Sequence, residues 1–143
     1  MSRFLLLLTL VALAGCDAFS SDTGMSDLTL SGSRSGVVQG GAFFGTGSGP
    51  GQTVTLADDD SGRTVSLSLP LTPPTGTFDV GSEVGVRYSP GVLSDAFEGV
   101  AGTVTLTDVS DREIRGRVDA GAALFSGEPI LQITGSFRAV SRD

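Results

Sequence analysis

From Asp27 onward, apolar and hydroxylated residues alternate in short runs, and no stretch of ten or more residues repeats at helical spacing. Val54 and Leu56 alternate with Thr53 and Thr55; Val65, Leu67 and Leu69 alternate with Thr64, Ser66 and Ser68. A period of two puts the two sets on opposite faces of a strand. These runs predict an antiparallel hairpin with one apolar and one wet face, turning through residues 57–62, where Gly62 supplies a positive φ. Further strands are predicted over residues 27–31, 37–44 (with a bulge or bend at Gly40-Gly41), 102–109, 112–118, 122–125 and 130–140. Residues 77–80 and 83–88 read as a second pair joined through Gly81-Ser82. In residues 112–118, Arg115 and Arg117 should face water while Ile114, Gly116 and Val118 face the core. Residues 89–99 are the least regular, with a short helical turn expected at 93–97. The fold class that follows is all-β: an antiparallel β-sandwich or partly closed β-barrel of about 8–10 short strands.

The N-terminal segment follows another pattern. Phe4 to Ala14 is apolar except for Thr9 and is preceded by Arg3. As a helix it would reach roughly 17 Å against about 30 Å of bilayer hydrocarbon, too short to span. It fits the apolar core of a secretory signal peptide. The stretch Leu13-Ala14-Gly15-Cys16 resembles the lipobox of bacterial lipoproteins. The resemblance implies cleavage before Cys16, diacylation of its thiol and a further acyl chain on the new amino terminus. More than one chain is what stable anchoring requires. The expected organisation is a signal peptide over 1–15, a lipidated flexible tether over 16–25 and an all-β domain over 26–143. The tether is short and polar, and extended it covers at most about 3.5 Å per residue. Asp17 resembles the inner-membrane retention signal of enteric bacteria, a rule other lineages do not follow. The expected location is the cell envelope, with the outer membrane favoured over the inner.

Composition narrows the chemistry. The chain has 9 basic residues, all Arg, against 16 acidic ones, and an acidic protein lacks the basic stripe that nucleic acid demands. The same balance leaves membrane contact to the lipid on Cys16. There is no His and only one Cys, so Ser-His-Asp and Cys-His sites and the usual zinc sites cannot be built from this chain. No disulfide can form within it, and the fold must rest on core packing. No cofactor is implied.

A second resemblance lies in residues 76–138. Gly-Thr-Phe-Asp-Val-Gly, Gly-Thr-Val-Thr-Leu-Thr-Asp-Val-Ser, Ile-Arg-Gly-Arg-Val and Ile-Thr-Gly-Ser-Phe follow one another in the cadence of the all-β domains of many small bacterial lipoproteins. The chain departs at Arg117-Val118, where those domains more often carry Thr-Phe. The likeness implies fold and location, and that group brings no activity with it.

Three clusters invite a chemical reading. Asp58, Asp59 and Asp60 beside Ser61 and Gly62 offer carboxylates to a hard cation such as Ca²⁺. However, acidic and small residues also suit an exposed hairpin turn, and consecutive carboxylates point in differing directions. Arg112, Arg115 and Arg117 could form a cationic stripe, or pair with Asp108, Asp111, Glu113 and Asp119 on a wet face. Asp95 and Glu98 lie in the irregular loop beside Phe97 and could be offered as an acid/base pair, but two carboxylates three residues apart are common and nothing marks either as desolvated. Of Phe43 and Phe44, one is expected in the core and one exposed. The expectation is a non-enzymatic envelope lipoprotein, anchored to the membrane through Cys16, whose β-domain binds an envelope protein or glycan or serves structurally. The alternative is a ligand-binding module for glycan, lipid or Ca²⁺; a carboxylate-dependent hydrolase comes third.

Overall fold

A computed structural model describes residues 23–46, 49–91, 96–124 and 128–142. Residues 1–22, and with them the expected signal peptide and Cys16, lie outside the described residues, as do Leu93, Ser94 and Asp95 of the expected helical turn. The nine strands are β1 (Gly24–Gly32), β2 (Gly36–Thr46), β3 (Gly51–Ala57), β4 (Thr64–Pro70), β5 (Gly76–Asp79), β6 (Gly85–Ser89), β7 (Phe97–Val109), β8 (Glu113–Ala123) and β9 (Leu131–Ser141). No helix occurs among the described residues.

Each strand other than β5 lies beside its chain neighbours, and β9 returns to pair with β1. The result is a closed antiparallel barrel of eight strands (β1, β2, β3, β4, β6, β7, β8, β9) with β5 as an extra strand. Closure satisfies strand edges that an open sheet would leave bare. The period-two pattern decides which face turns in. Leu28 and Leu30, Val54 and Leu56, Val65 and Leu67, Val104 and Leu106, Ile114 and Val118, and Leu131 and Ile133 are all buried in one core. The other face carries Asp27, Thr29, Ser68, Thr107, Arg115, Arg117, Gln132, Thr134 and Ser136, all exposed. A barrel crossing a membrane needs an apolar outer band. This one is built the other way, dry inside and hydroxylated outside.

The predicted 57–62 hairpin is present, with Val54 opposite Leu67, Leu56 opposite Val65, and Gly62 at φ 72. Four expectations are corrected. First, β1 takes in Gly24 and Met25, so the ladder starts two residues ahead of the expected domain boundary. Second, the β1–β2 register runs unbroken past Gly40 and Gly41, so no bulge sits there against β1. Third, residues 122–123 are not a separate strand but the end of β8, and β7 begins at Phe97 rather than Gly102. Two register shifts in β7, at Gly99/Ala101 and Leu106/Asp108, let this long strand bend with the wall.

The fourth correction concerns residues 77–88. They do not form a hairpin: β5 pairs with Thr103–Leu106 of β7, and β6 pairs with Phe97 and Glu98 of the same strand. Both run antiparallel to β7, so they are two pieces of one strand position. Between them a tight loop folds on itself, with Glu83 and Val84 N–H donating to the Asp79 carbonyl at 3.0 and 3.2 Å. Gly81-Ser82 makes a turn, as a local reading expects, but the chain leaves it travelling in its original direction.

β1 slots between β2 and β9. Beyond Gly24 those two strands meet directly, Phe43 opposite Val140 and Phe44 opposite Ser141. The wall thus closes behind the point where the chain enters it. Strand directions put the β7–β8 turn and the C-terminal end of β9 at this Gly24 end and the β1–β2 turn at the opposite end, while the β3–β4 turn folds along β2 as far as Gly41, opposite Met25.

Candidate functional sites

The acidic loop is the first site to test against geometry. β3 pairs with β2 only as far as Leu56 opposite Ala42, so Gln39 and Gly41 further along β2 lose their ladder partner. The loop supplies it. Gln39 N–H donates to Asp58 Oδ1 at 3.2 Å, Gly41 N–H to Asp59 Oδ1 at 3.3 Å, and Asp59 N–H to the Gln39 carbonyl at 3.2 Å. The other Asp58 oxygen accepts from the Ser61 hydroxyl and from Ser61 N–H at 3.1 Å. The Ser61 hydroxyl first, and the Gln39 N–H after it, hold the Asp58 carboxyl below its ordinary value. Two carboxylates therefore continue a sheet ladder where a strand turns away, an edge role for acidic residues that alternation alone does not announce. Asp60 is exposed in the turn, and among the described residues no three His, Cys, Asp or Glu gather as a metal site.

The arginines form a different network from the one their spacing suggests. Arg115 and Arg117 do share the outer face, as expected. Glu113 on β8 receives Arg115 Nε at one carboxylate oxygen and Arg138 Nε at the other, the latter at 2.6 Å. Arg138 comes from β9 and also donates from Nη1 to the Thr23 carbonyl at 3.4 Å. The Arg115 bond first, and Arg138 after it, keep the Glu113 carboxyl below its ordinary value, while Glu113 raises Arg115. Arg112 sits in the β7–β8 turn, and Arg117 lies among Thr103, Thr105, Asp119 and Thr134. The partner missed from sequence is Arg138, which is 25 residues from Glu113 and is brought beside it only by the β8–β9 register.

Glu98 points outward and pairs with Arg87 at 3.5 Å, so its nearest charge is a cation rather than a second acid. Asp95, its supposed partner, lies outside the described residues. Phe44 is buried, while Phe43 is half-buried on the outer side with the Arg142 guanidinium 3.4 Å above its ring. That divides the two rings between core and surface as expected.

Side chains fill the barrel interior, so room for a ligand lies on the surface. A cleft of about 750 Å³ runs past Gln52, Ser68, the residue 81–85 loop and Glu98. Gln52 Oε1 borders it as a buried oxygen without a hydrogen-bond partner. A second hollow, about 580 Å³, lies over Gly40 and Gly41 between Met25, Gln39 and Asp59. No family model matches the chain, and no curated protein or solved structure matches it either.

Proposed function

We propose that this protein is a lipid-anchored component of the bacterial cell envelope whose barrel is non-catalytic and works through its outer surface, as a partner-binding or structural module. The observation that carries the reading is the join of two features. The Leu13-Ala14-Gly15-Cys16 stretch has the form of a lipobox, and the barrel it precedes has a filled apolar interior under a hydroxylated wall. A filled interior leaves no room for an enclosed substrate, and a polar wall does not enter hydrocarbon. Lipid on Cys16 is then the membrane contact. The acidic balance speaks against nucleic acid as the partner.

The test is the mass of the N-terminal peptide from the membrane-extracted protein. A peptide that starts at Cys16 and carries two or more acyl chains is the expected result, and Cys16→Ser should move the protein out of the membrane fraction. A peptide cut elsewhere and free of lipid would overturn the reading.

One observation favours a second reading, a ligand-binding module. The cleft beside Gln52 offers the unpartnered Gln52 Oε1 together with the hydroxyls of Ser68 and Ser82. A glycan could use such groups. Screening thermal stability against a glycan panel, with Gln52→Ala as the control, checks it: a rise in midpoint lost in the variant supports the module.

A further inference from the structure

The hollow over Gly40 and Gly41 sits beside an exposed knob. Leu28 and Val38 face the core, so Met25, Asp27, Gln39 and Gly41 face outward on β1 and β2. Met25 is the most exposed large apolar side chain among the described residues, at 69%. Directly opposite it in the register stands Gly41, where a Cβ would meet nothing within 4 Å. The same row carries opposite charges at its two ends. Arg138 of β9 flanks Met25 on the other side, and Asp59 Oδ1 accepts from Gly41 N–H at 3.3 Å. Across the wall the order is therefore cation, knob, hole, anion. Asp59 is exposed and in no ion pair among the described residues. Arg138 gives Nε to Glu113 and Nη1 to the Thr23 carbonyl, and its guanidinium still has N–H groups to offer.

We propose that two copies of this chain pair face to face through β1 and β2, about a two-fold axis running along those strands. Met25 of each copy enters the hollow over Gly40 and Gly41 of the other, and Arg138 of each meets Asp59 of the other. A two-fold pairing brings the same patch of both copies together, so the patch must be complementary to itself. An axis lying between β1 and β2 exchanges the two halves of the row, and each charge in it then faces its opposite. In the next row Asp27 faces Gln39 of the other copy, a carboxylate against an amide that already donates to Asp27 within each chain at 2.8 Å. An axis across the strands would instead set Asp59 against Asp59 and Arg138 against Arg138, and like charges held together oppose association. Facing sheets pack about 10 Å apart, so an unbranched Met on one wall needs a residue as small as Gly41 on the other. The pairing goes beyond the envelope reading and does not depend on lipid at Cys16.

The experiment is sedimentation velocity of the full chain in detergent, with micelles in excess over protein, through the micromolar range. The native protein should pass from one barrel to two as concentration rises. Gly41→Phe fills the hollow from an open position and should weaken association at least about tenfold, with the barrel still folded by circular dichroism. Asp59→Lys and Arg138→Glu should each leave single barrels, because each sets like charges against each other across the interface. Mixed in equal amounts they should pair again, since both contacts then join opposite charges. A native chain that stays single at every concentration overturns the pairing and gives the hollow to another occupant. Gly41→Phe associating as well as the native chain overturns this face as the interface. A mixture no better than its two folded components overturns the axis. If Arg138→Glu does not fold beside Glu113, Asp59→Asn carries the charge test, because its Oδ1 keeps the Gly41 bond. Salt should then weaken the native pair more than the variant, and an equal effect overturns the contact between Arg138 and Asp59.

Discussion

The two flanks of β7 differ sharply. On one side β8 follows it from Glu98 to Val109 and passes the ladder on to β9 and then β1. On the other side the same strand meets β6 only at Phe97 and Glu98, then β5 from Thr103 to Leu106, with the residue 80–84 loop between. The first flank is one continuous run of pairing, interrupted only by the two register shifts in β7. The second is interrupted by the loop through Gly81 and Ser82, whose backbone groups bond within it, Gly81 N–H to the Val84 carbonyl and Glu83 and Val84 N–H to that of Asp79, instead of continuing the ladder. Side chains make up part of what hydrogen bonds do not. Tyr88 and Phe97, opposite each other on β6 and β7, are both buried with ring centroids 5.8 Å apart. A barrel can therefore close with one seam resting more on packing than on backbone pairing.

Removing that packing should give the largest effect. Phe97→Ala deletes a fully buried ring and is expected to cost about 3–5 kcal/mol in urea unfolding. Ile133→Ala, on the continuous flank, should cost about 2–5 kcal/mol. The distinction lies in hydrogen exchange. In Phe97→Ala the β6 amides should open well below the global free energy, whereas in Ile133→Ala all strands should fall together. If β6 amides track global unfolding in both variants, the seam is no weaker than the rest and the contrast fails.

A smaller effect should follow from tightening the strong flank. Gly116 on β8 faces inward, and a Cβ there would come 2.4 Å from the Thr105 carbonyl oxygen and 3.0 Å from the Phe137 ring. Gly116→Ala must push β7 or Phe137 aside, for a loss of about 1–3 kcal/mol. A Cβ on Gly41 meets nothing within 4 Å, so Gly41→Ala should leave the unfolding midpoint unchanged or slightly raised. Equal losses at both glycines would mean that backbone freedom, not close packing, explains Gly116.

The same contrast shows what was legible in the sequence. Where alternation is strict, as in Val54–Leu56 against Val65–Leu69, or at Ile114 to Val118, local chemistry settled both the strand and its inward face. Residues 77–88 misled because Gly81-Ser82 looks like a hairpin turn, and only β7, absent from any local window, decides that the chain continues along one edge. The sites divide likewise. Asp58 and Asp59 announced a turn, but their bonds to Gln39 and Gly41 depend on where β3 leaves β2. Arg138 gave no signal because its partners, Glu113 and Thr23, are remote in the chain.

The smallest expected effects are electrostatic, and they set the turn after β3 against the start of β8. Asp58 and Glu113 both have their folded values depressed. Each therefore contributes stability in full above its ordinary value, 3.8 for Asp58 and 4.5 for Glu113, and loses it as pH falls through the lower folded value. Glu113→Gln should remove the part of the acid-induced fall in thermal midpoint that begins near pH 4.5, and Asp58→Asn the part that begins near pH 3.8. Above that range Asp58→Asn should also sit slightly lower, because an amide can keep the Gln39 bond only by turning its NH₂ toward the Ser61 N–H. Millimolar Ca²⁺ separates the two accounts of the loop. If Asp58 and Asp59 serve as ladder acceptors, the ion leaves the native midpoint where it was; a rise in the native protein that Asp58→Asn abolishes would make the loop a cation site instead.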